Sequence, residues 1–168
     1  MNYDIIGDIH GCDLTLTSLL KKLSYSLVDG VYQHDTRKVI FLGDFVDHGP
    51  RQKEVVDIVR PMVEGCHALS VMGNHEFNAI AYATYNDDLN DYLRPHTLKN
   101  EKDHKTFLNA YENDKAEYDD VVAWFKTLPL WLDLGDFRII HACWDQEVIS
   151  KLGDSTLTDE LLIKSSTK

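Results

Sequence analysis

An α/β fold, a layered β-sheet core flanked by helices, is what this 168-residue sequence predicts. Three observations carry the expectation. Short, nearly continuous aliphatic runs alternate with segments of helical period, the order expected of βαβ units. Glycine stands at the bends after most of the runs, where tight turns are needed. Polar residues gather just beyond the runs, where the strand ends of an open α/β sheet form a crevice.

Taken along the chain, "YDIIGD" (3–8) reads as the first strand, and its aliphatic content suits burial on both faces. "DLTLTSLLKKL" follows with Leu16, Leu19, Leu20 and Leu23 on one helical face and Asp13 as its N-cap. "KVIFLGD" (38–44) is the second strand. "RQKEVVDIVRPMVEG" is a helix presenting Val55, Val56, Val59, Met62 and Val63, which Pro61 should kink or shorten. "ALSVMGN" (68–74) and "FRIIHA" (137–142) complete four strands, and "LPLWLDLG" (128–135) forms a hairpin with the last of them at Gly135-Asp136. Residues 77–127 are polar, aromatic and helical in tendency, and are expected as an insertion over one edge of the sheet. Its last helix, "AEYDDVVAWFKTLP", ends at Pro129. The closing "KLGDSTLTDELLIKSSTK" adds no strand and has a frayed Ser/Thr/Lys end, so the fold is expected to be incomplete there.

Size and composition narrow the function. One domain over 1–168 is expected from the length. Cys12, Cys66 and Cys143 are odd in number and far apart, which argues against a disulfide framework or zinc knuckle; Cys66 and Cys143 are expected to be buried thiols. No apolar run is long enough to span a membrane, and "MNYDIIGDIH" lacks the flanks of a signal peptide, so the cytoplasm is expected. A net charge of −11 disfavours non-specific nucleic-acid binding, but not a phosphorylated substrate held through bound cations.

The polar clusters are dense in metal-capable groups. "GDIHG" offers Asp8 and His10, "GDFVDHGP" offers Asp44 and Asp47, "GNHE" offers Asn74 and His75, and "IIHACW" offers His141. One Gly-Asp turn or one histidine would be an ordinary surface feature. Four strand ends each carrying such groups point instead to one pocket for a hard or borderline dication, Mn, Fe, Zn, Ni or Mg.

In this order and spacing, "GDIHG", "GDFVDHG", "GNHE" and "IIHACW" resemble the calcineurin-like metallophosphoesterases, in particular their phosphoprotein-phosphatase branch with its bacterial serine/threonine phosphatases and diadenosine-tetraphosphatase relatives. The resemblance covers residues 3–145 and implies two divalent ions, most simply Mn²⁺, that activate water against a phosphoryl group. It implies Asp8 and His10 on the first ion, Asp44 bridging, Asn74 and His141 on the second, and His75 as the acid for the leaving oxygen, steered by Asp47.

Two departures accompany it. His48 stands where the family carries an arginine that grips substrate phosphate, with Arg51 as a candidate substitute and Arg94 a weaker one. A further histidine that the family supplies to the second ion from a later strand has no counterpart by position among His34, His67, His96 and His104. An exposed sheet edge would then invite self-association. The leading expectation is a phosphomonoesterase acting on a phosphoprotein or a small phosphorylated substrate. Its alternatives are a dinucleoside-polyphosphate hydrolase and a non-catalytic metal-binding interaction module.

Overall fold

The computed structural model describes residues 2–166. The chain runs β1 (Asn2–Ile6), α1 (Asp13–Lys22), β2 (Ser26–Val28), β3 (Val31–Gln33), β4 (Arg37–Phe41), α2 (Gln52–Glu64), β5 (Ala68–Ser70), α3 (Asn74–Ala83), β6 (Tyr85–Asn86), β7 (Asp91–Tyr92), α4 (Leu98–Tyr111), α5 (Lys115–Lys126), β8 (Trp131–Asp133), β9 (Arg138–Ile140), α6 (Gln146–Leu152) and α7 (Asp159–Ser166). The α/β expectation holds. β1, β4 and β5 form a parallel sheet with β4 in the middle, paired from Asn2 with Arg37 to Ile6 with Phe41 and from Val39 with Ala68 to Phe41 with Ser70. All three strands therefore stop at the same level, and the loops that leave them start side by side.

β4 anchors both faces of this sheet because successive side chains alternate. Val39 and Phe41 enter the main core with the helices, while Ile40 joins Val71 and Ile139 on the opposite face. All three β4 residues are fully buried, worth about 1.5–3 kcal/mol each by transfer. β1 departs from the expectation of burial on both faces. It is an edge strand, and Ile5 is 56% exposed. The fourth expected strand also departs: β9 pairs antiparallel with β8 in a separate hairpin, turning at Gly135, that covers the Ile40 face. Its sequence was indistinguishable from a parallel-sheet strand because both burials favour the same residues.

Several local expectations change for geometric reasons. Pro61 lies inside α2, which continues to Glu64. Asp13 is the first helical residue rather than the N-cap; Cys12 takes that place, and the Asp13 carboxylate pairs with Arg51 at 3.0 Å. On α1, Leu16 and Leu20 are buried but Leu19 is at the exposed margin of the stripe. All three cysteines are exposed. Cys66 turns outward at a positive φ just after α2, so its apolar neighbours in sequence are not its neighbours in space.

Residues 77–127 are more than a cover for one edge. α4 packs on α2, α5 packs on α3, and Phe107, Tyr111, Val121, Trp124 and Phe125 share one core with Phe41. Phe45, beside the sheet ends, stacks on Trp124. The hairpin β2–β3 had no counterpart in the expectations, although its Asp29-Gly30 turn, both residues at positive φ, is a strong hairpin signal. Among the described residues the C-terminal stretch adds no strand, as expected. The frayed end is instead α7 through Ser166, docked by the buried Leu162; residues 167–168 lie outside the described residues.

Candidate functional site

The loops after β1 and β4 are laced together before any side chain is considered. Ile9 and His10 donate their N–H groups to Asp44 O, Gly11 donates to Phe45 O, and Gly49 donates to His10 O. Holding these contacts forces four non-glycine residues, His10, Asp44, Asp47 and His48, to positive φ. That region is sparsely populated, and residues held there are typical of sites where the chain must aim side chains at one point. Gly73 is obligatory at this approach, because a Cβ there would lie 2.2 Å from Asp44 Oδ1.

Two buried side chains lock the arrangement. Glu76, fully buried on the first turn of α3, accepts from three backbone N–H groups: Asp44 and Gly73 at one oxygen (2.8 and 3.0 Å) and Phe45 at the other (2.8 Å). Burial pushes its carboxyl up in pKa, against those hydrogen bonds. Gln52 accepts from Asp47 N–H at 2.7 Å and donates to Gly49 O at 2.6 Å. Glu76 is thereby the link between the β4 loop and α3. Gln52 was not singled out at all.

Onto this frame are set the metal-capable groups. Asp8, Asp44 and Asn74 lie just past the ends of β1, β4 and β5, and His141 follows β9. His10 Nε2 is 3.9 Å from both Asp8 Oδ2 and Asp44 Oδ2. His141 Nε2 is 3.4 Å from Asp44 Oδ2 and 3.0 Å from Asn74 Oδ1. Ligands sharing one dication at about 2.1 Å and ordinary coordination angles stand about 3.0–3.5 Å apart, so these separations need little adjustment.

The tautomers strengthen the fit. His10 Nδ1 lies 2.9 Å from Val46 O, and His141 Nδ1 lies 2.7 Å from Leu42 O. A carbonyl only accepts, so both rings carry the proton on Nδ1, and a neutral ring then presents a bare Nε2 lone pair. Those lone pairs face carboxylate and amide oxygens. Acceptors converging on acceptors are repulsive unless a cation sits between them, and backbone-oriented imidazoles are the usual support of metal ligands. The residues present fit divalent ions.

Beside this cluster, His75 Nδ1 donates to Asp47 Oδ2 at 2.7 Å. The hydrogen bond to Asp47 raises the His75 pKa, against burial, with the negative charges of Asp44, Asp47 and Glu76 adding to the rise. Asp47 is itself 1% exposed; burial pushes its carboxyl up, but hydrogen bonds from His104 and His75 prevail and hold it at about 2. A carboxylate thus stays charged in the interior next to a histidine biased towards the cation. His104 is a residue that sequence reasoning passed over: it lies on α4, 57 positions from Asp47, and its Nδ1 donates to Asp47 Oδ1 at 2.9 Å. No motif spacing links them, so only the packing of α4 discloses the contact.

His48 is at the mouth, its ring 4.8 Å from that of His10 and 5.1 Å from that of His75. Arg51 is not free to replace the family arginine: its guanidinium pairs with Asp13 at 3.0 Å and Glu54 at 3.3 Å.

Comparison with known proteins supplies the context. The family model for calcineurin-like phosphoesterases matches residues 1–164. The chain is 31% identical over 161 residues to the asymmetrical bis(5'-nucleosyl)-tetraphosphatase PrpE of Oceanobacillus iheyensis, covering 94% of this chain and 62% of that protein. It is 46% identical over 76 residues to the protein of the same name from Halalkalibacterium halodurans, covering 45% of this chain and 31% of the relative. The chain thus spans less than two thirds of the length of these relatives. A solved cold-active protein tyrosine phosphatase shares the fold, with a TM-score of 0.61 at 19% identity over 95% of this chain and 46% of that one.

Proposed function

Because the chain belongs to the calcineurin-like phosphoesterases, we propose that it is a metal-dependent hydrolase whose substrate is a dinucleoside polyphosphate. The observation that carries the hydrolase reading is the pair of Nε2 lone pairs, on His10 and His141, aimed at the oxygens of Asp8, Asp44 and Asn74. The substrate class rests on likeness to tetraphosphatases along nearly the whole of this chain.

Asp8, His10 and Asp44 would hold one dication, and Asp44, Asn74 and His141 a second, with Mn²⁺ preferred over Fe, Zn, Ni or Mg. When bound, such ions lower the pKa of water and withdraw charge from the phosphoryl oxygens. The chain's own residues do the rest. Asp44, buried and fixed by His75 N–H at 2.9 Å, sets where the phosphoryl group is presented. His75 keeps Nε2 for the leaving oxygen because Nδ1 is committed to Asp47, and it donates its proton as the P–O bond breaks. His48 contacts a flanking phosphate with at most one hydrogen bond per ring nitrogen, a weaker hold than the forked guanidinium of the family arginine.

Phosphomonoesters are the second reading, favoured by one observation: Asp8 and His48 are exposed at the mouth, which leaves room for a phosphate borne on a protein. The test is hydrolysis of diadenosine tetraphosphate, p-nitrophenyl phosphate and a phosphopeptide by Mn²⁺-loaded protein, beside Asp44→Asn and His75→Ala. Cleavage of the tetraphosphate into unequal parts, reduced in both variants, is expected. Turnover of the monoesters alone would replace the substrate class; no metal-dependent turnover of any of the three would sink the hydrolase reading.

A further inference from the structure

Resting on that reading, we infer that His104 is a positioning residue for the acid His75, acting through the two oxygens of Asp47. Asp47 is nearly inaccessible to water and is gripped from two sides, by His75 Nδ1–H at Oδ2 and by His104 Nδ1–H at Oδ1. A carboxylate with one in-plane donor can still rotate about its Cβ–Cγ bond. With a second donor on the other oxygen, only one orientation satisfies both, and that orientation sets the plane of the His75 ring.

His104 is built for this contact and for nothing else in its surroundings. It is 1% exposed, its ring is packed 4.9 Å from Phe107 and 5.2 Å from Tyr82, and its Nε2 is buried without a hydrogen-bond partner. An orphaned polar atom in the interior calls for a physical reason. A phenylalanine or leucine would fill the same space without it, so packing does not account for an imidazole here; the bond to Asp47 does. The orphan also fixes the chemistry of the ring. A neutral His104 bearing its proton on Nδ1 satisfies Asp47 and leaves only a bare lone pair, whereas the other tautomer would deprive Asp47 of a donor and bury an unmatched N–H. The helical segment 98–111 thus reaches under the reactive loop and holds its acid from behind.

The amide of asparagine reproduces the Nδ1 position of histidine, and that of glutamine reproduces Nε2. His104→Asn should therefore keep the relay, while His104→Gln and His104→Ala should break it. The first readout needs no metal or turnover: ¹⁵N–¹H spectra of the imidazoles. The wild type should show His104 as the Nδ1–H tautomer and a solvent-protected His75 Nδ1 proton. That proton signal should vanish in His104→Ala and His104→Gln and return in His104→Asn. The second readout is kinetic. Loss of the relay should lower kcat for diadenosine tetraphosphate about tenfold, part of what general acids contribute, with KM and bound metal unchanged, and His104→Asn should recover most of it. An Nε2–H tautomer, a His75 proton indifferent to the Ala and Gln variants, or equal kcat for all variants would each overturn the inference. So would a rise in KM and a loss of bound metal matching the fall in kcat, which mark a merely structural role. If the wild type hydrolyses nothing, the function proposed above fails, and the spectra alone decide the positioning of His75.

Discussion

The reactive end of the sheet has two sides built to different standards. On one side, the loops after β1, β4 and β5 are cross-tied by backbone hydrogen bonds and closed from beneath by Glu76, Asp47 and Gln52, each at most 1% exposed. On the other side stands His141, at the end of a three-residue strand, followed by Ala142 and Cys143 in the open and by α6, which buries no residue. His141 reaches the site through Leu42 O, Asn74 and Asp44. The difference teaches that position and reactivity are separable here: the first side determines where most of the candidate ligands stand, and the second contributes one candidate ligand with little structural obligation.

Removing the Glu76 carboxylate should break the comparison most severely. Glu76→Ala strands three buried N–H groups at once, and each orphaned donor costs about 1–3 kcal/mol, so a loss of roughly 4 kcal/mol or more is expected. Urea unfolding should show a large fall in midpoint, or no soluble folded protein. A change under about 1 kcal/mol would mean the first side is not held as described. His141→Ala should do the reverse. Its stability should fall by no more than about 1 kcal/mol, the usual net worth of the one backbone hydrogen bond that the half-buried His141 makes to Leu42 O. Mn²⁺ affinity and turnover should fall by about 100-fold or more, because loss of a ligand exceeds the 10–100-fold usual for loss of its supporting partner. Equal damage to stability and metal binding would erase the distinction between the two sides.

This asymmetry also explains what was legible in the sequence. The four loops stood out together because glycine, aspartate, asparagine and histidine recur at each of them, so Asp8, His10, Asp44, Asn74, His75 and His141 could be picked out as a set although none is distinctive alone. The supports could not. Gln52 looks like any polar residue at a helix start, and its role depends on Asp47 N–H turning towards it. His104 depends on where α4 packs. The exposed face of β1 depends on what lies beside it, and "DIIG" carries no trace of that. Backbone-to-side-chain and helix-to-loop contacts are set by tertiary packing, which local periodicity does not encode.

Acid should discriminate between the two sides more gently. The Asp47 carboxyl is held at about 2, below its ordinary 3.8, because the donors His104 and His75 overcome the effect of burial. A depressed carboxylate contributes stability above its unfolded pKa and loses it as pH falls through the folded value, so the loss belongs between about pH 4 and pH 2. At about 1.4 kcal/mol per unit, this amounts to roughly 2 kcal/mol. His75 has the opposite sense: its raised pKa adds stability below the ordinary histidine range and gives it up as pH rises through the folded value. The part of the Asp47 effect that comes from His75 is the same contact and is counted once. Asp47→Asn should reduce the acid limb of the wild-type stability curve, measured by urea unfolding from pH 5 to pH 2, by about the amount of the Asp47 effect, whereas an Asp8→Asn control on the exposed rim should leave it unchanged.

The smallest effect concerns His48, on the rim of the first side, where the resemblance implies an arginine. His48 holds a positive φ, a strain that any residue other than glycine shares, so His48→Arg should not unsettle the loop. What changes is the hand extended to the substrate. An imidazole gives one donor per nitrogen and is partly charged at neutral pH; a guanidinium gives a permanent charge and two parallel N–H groups to two phosphate oxygens. Arg51 does not make up the difference while Asp13 and Glu54 hold it. The gain of one charge-assisted hydrogen bond, about 1 kcal/mol on a solvent-facing rim, should lower KM for a polyphosphate substrate about fivefold and leave kcat nearly unchanged. Inorganic phosphate should inhibit the variant more strongly by a similar factor. A rise in kcat without a fall in KM would place His48 in the chemical step, and the mouth of the site would then be as exacting in its geometry as the buried loops beneath it.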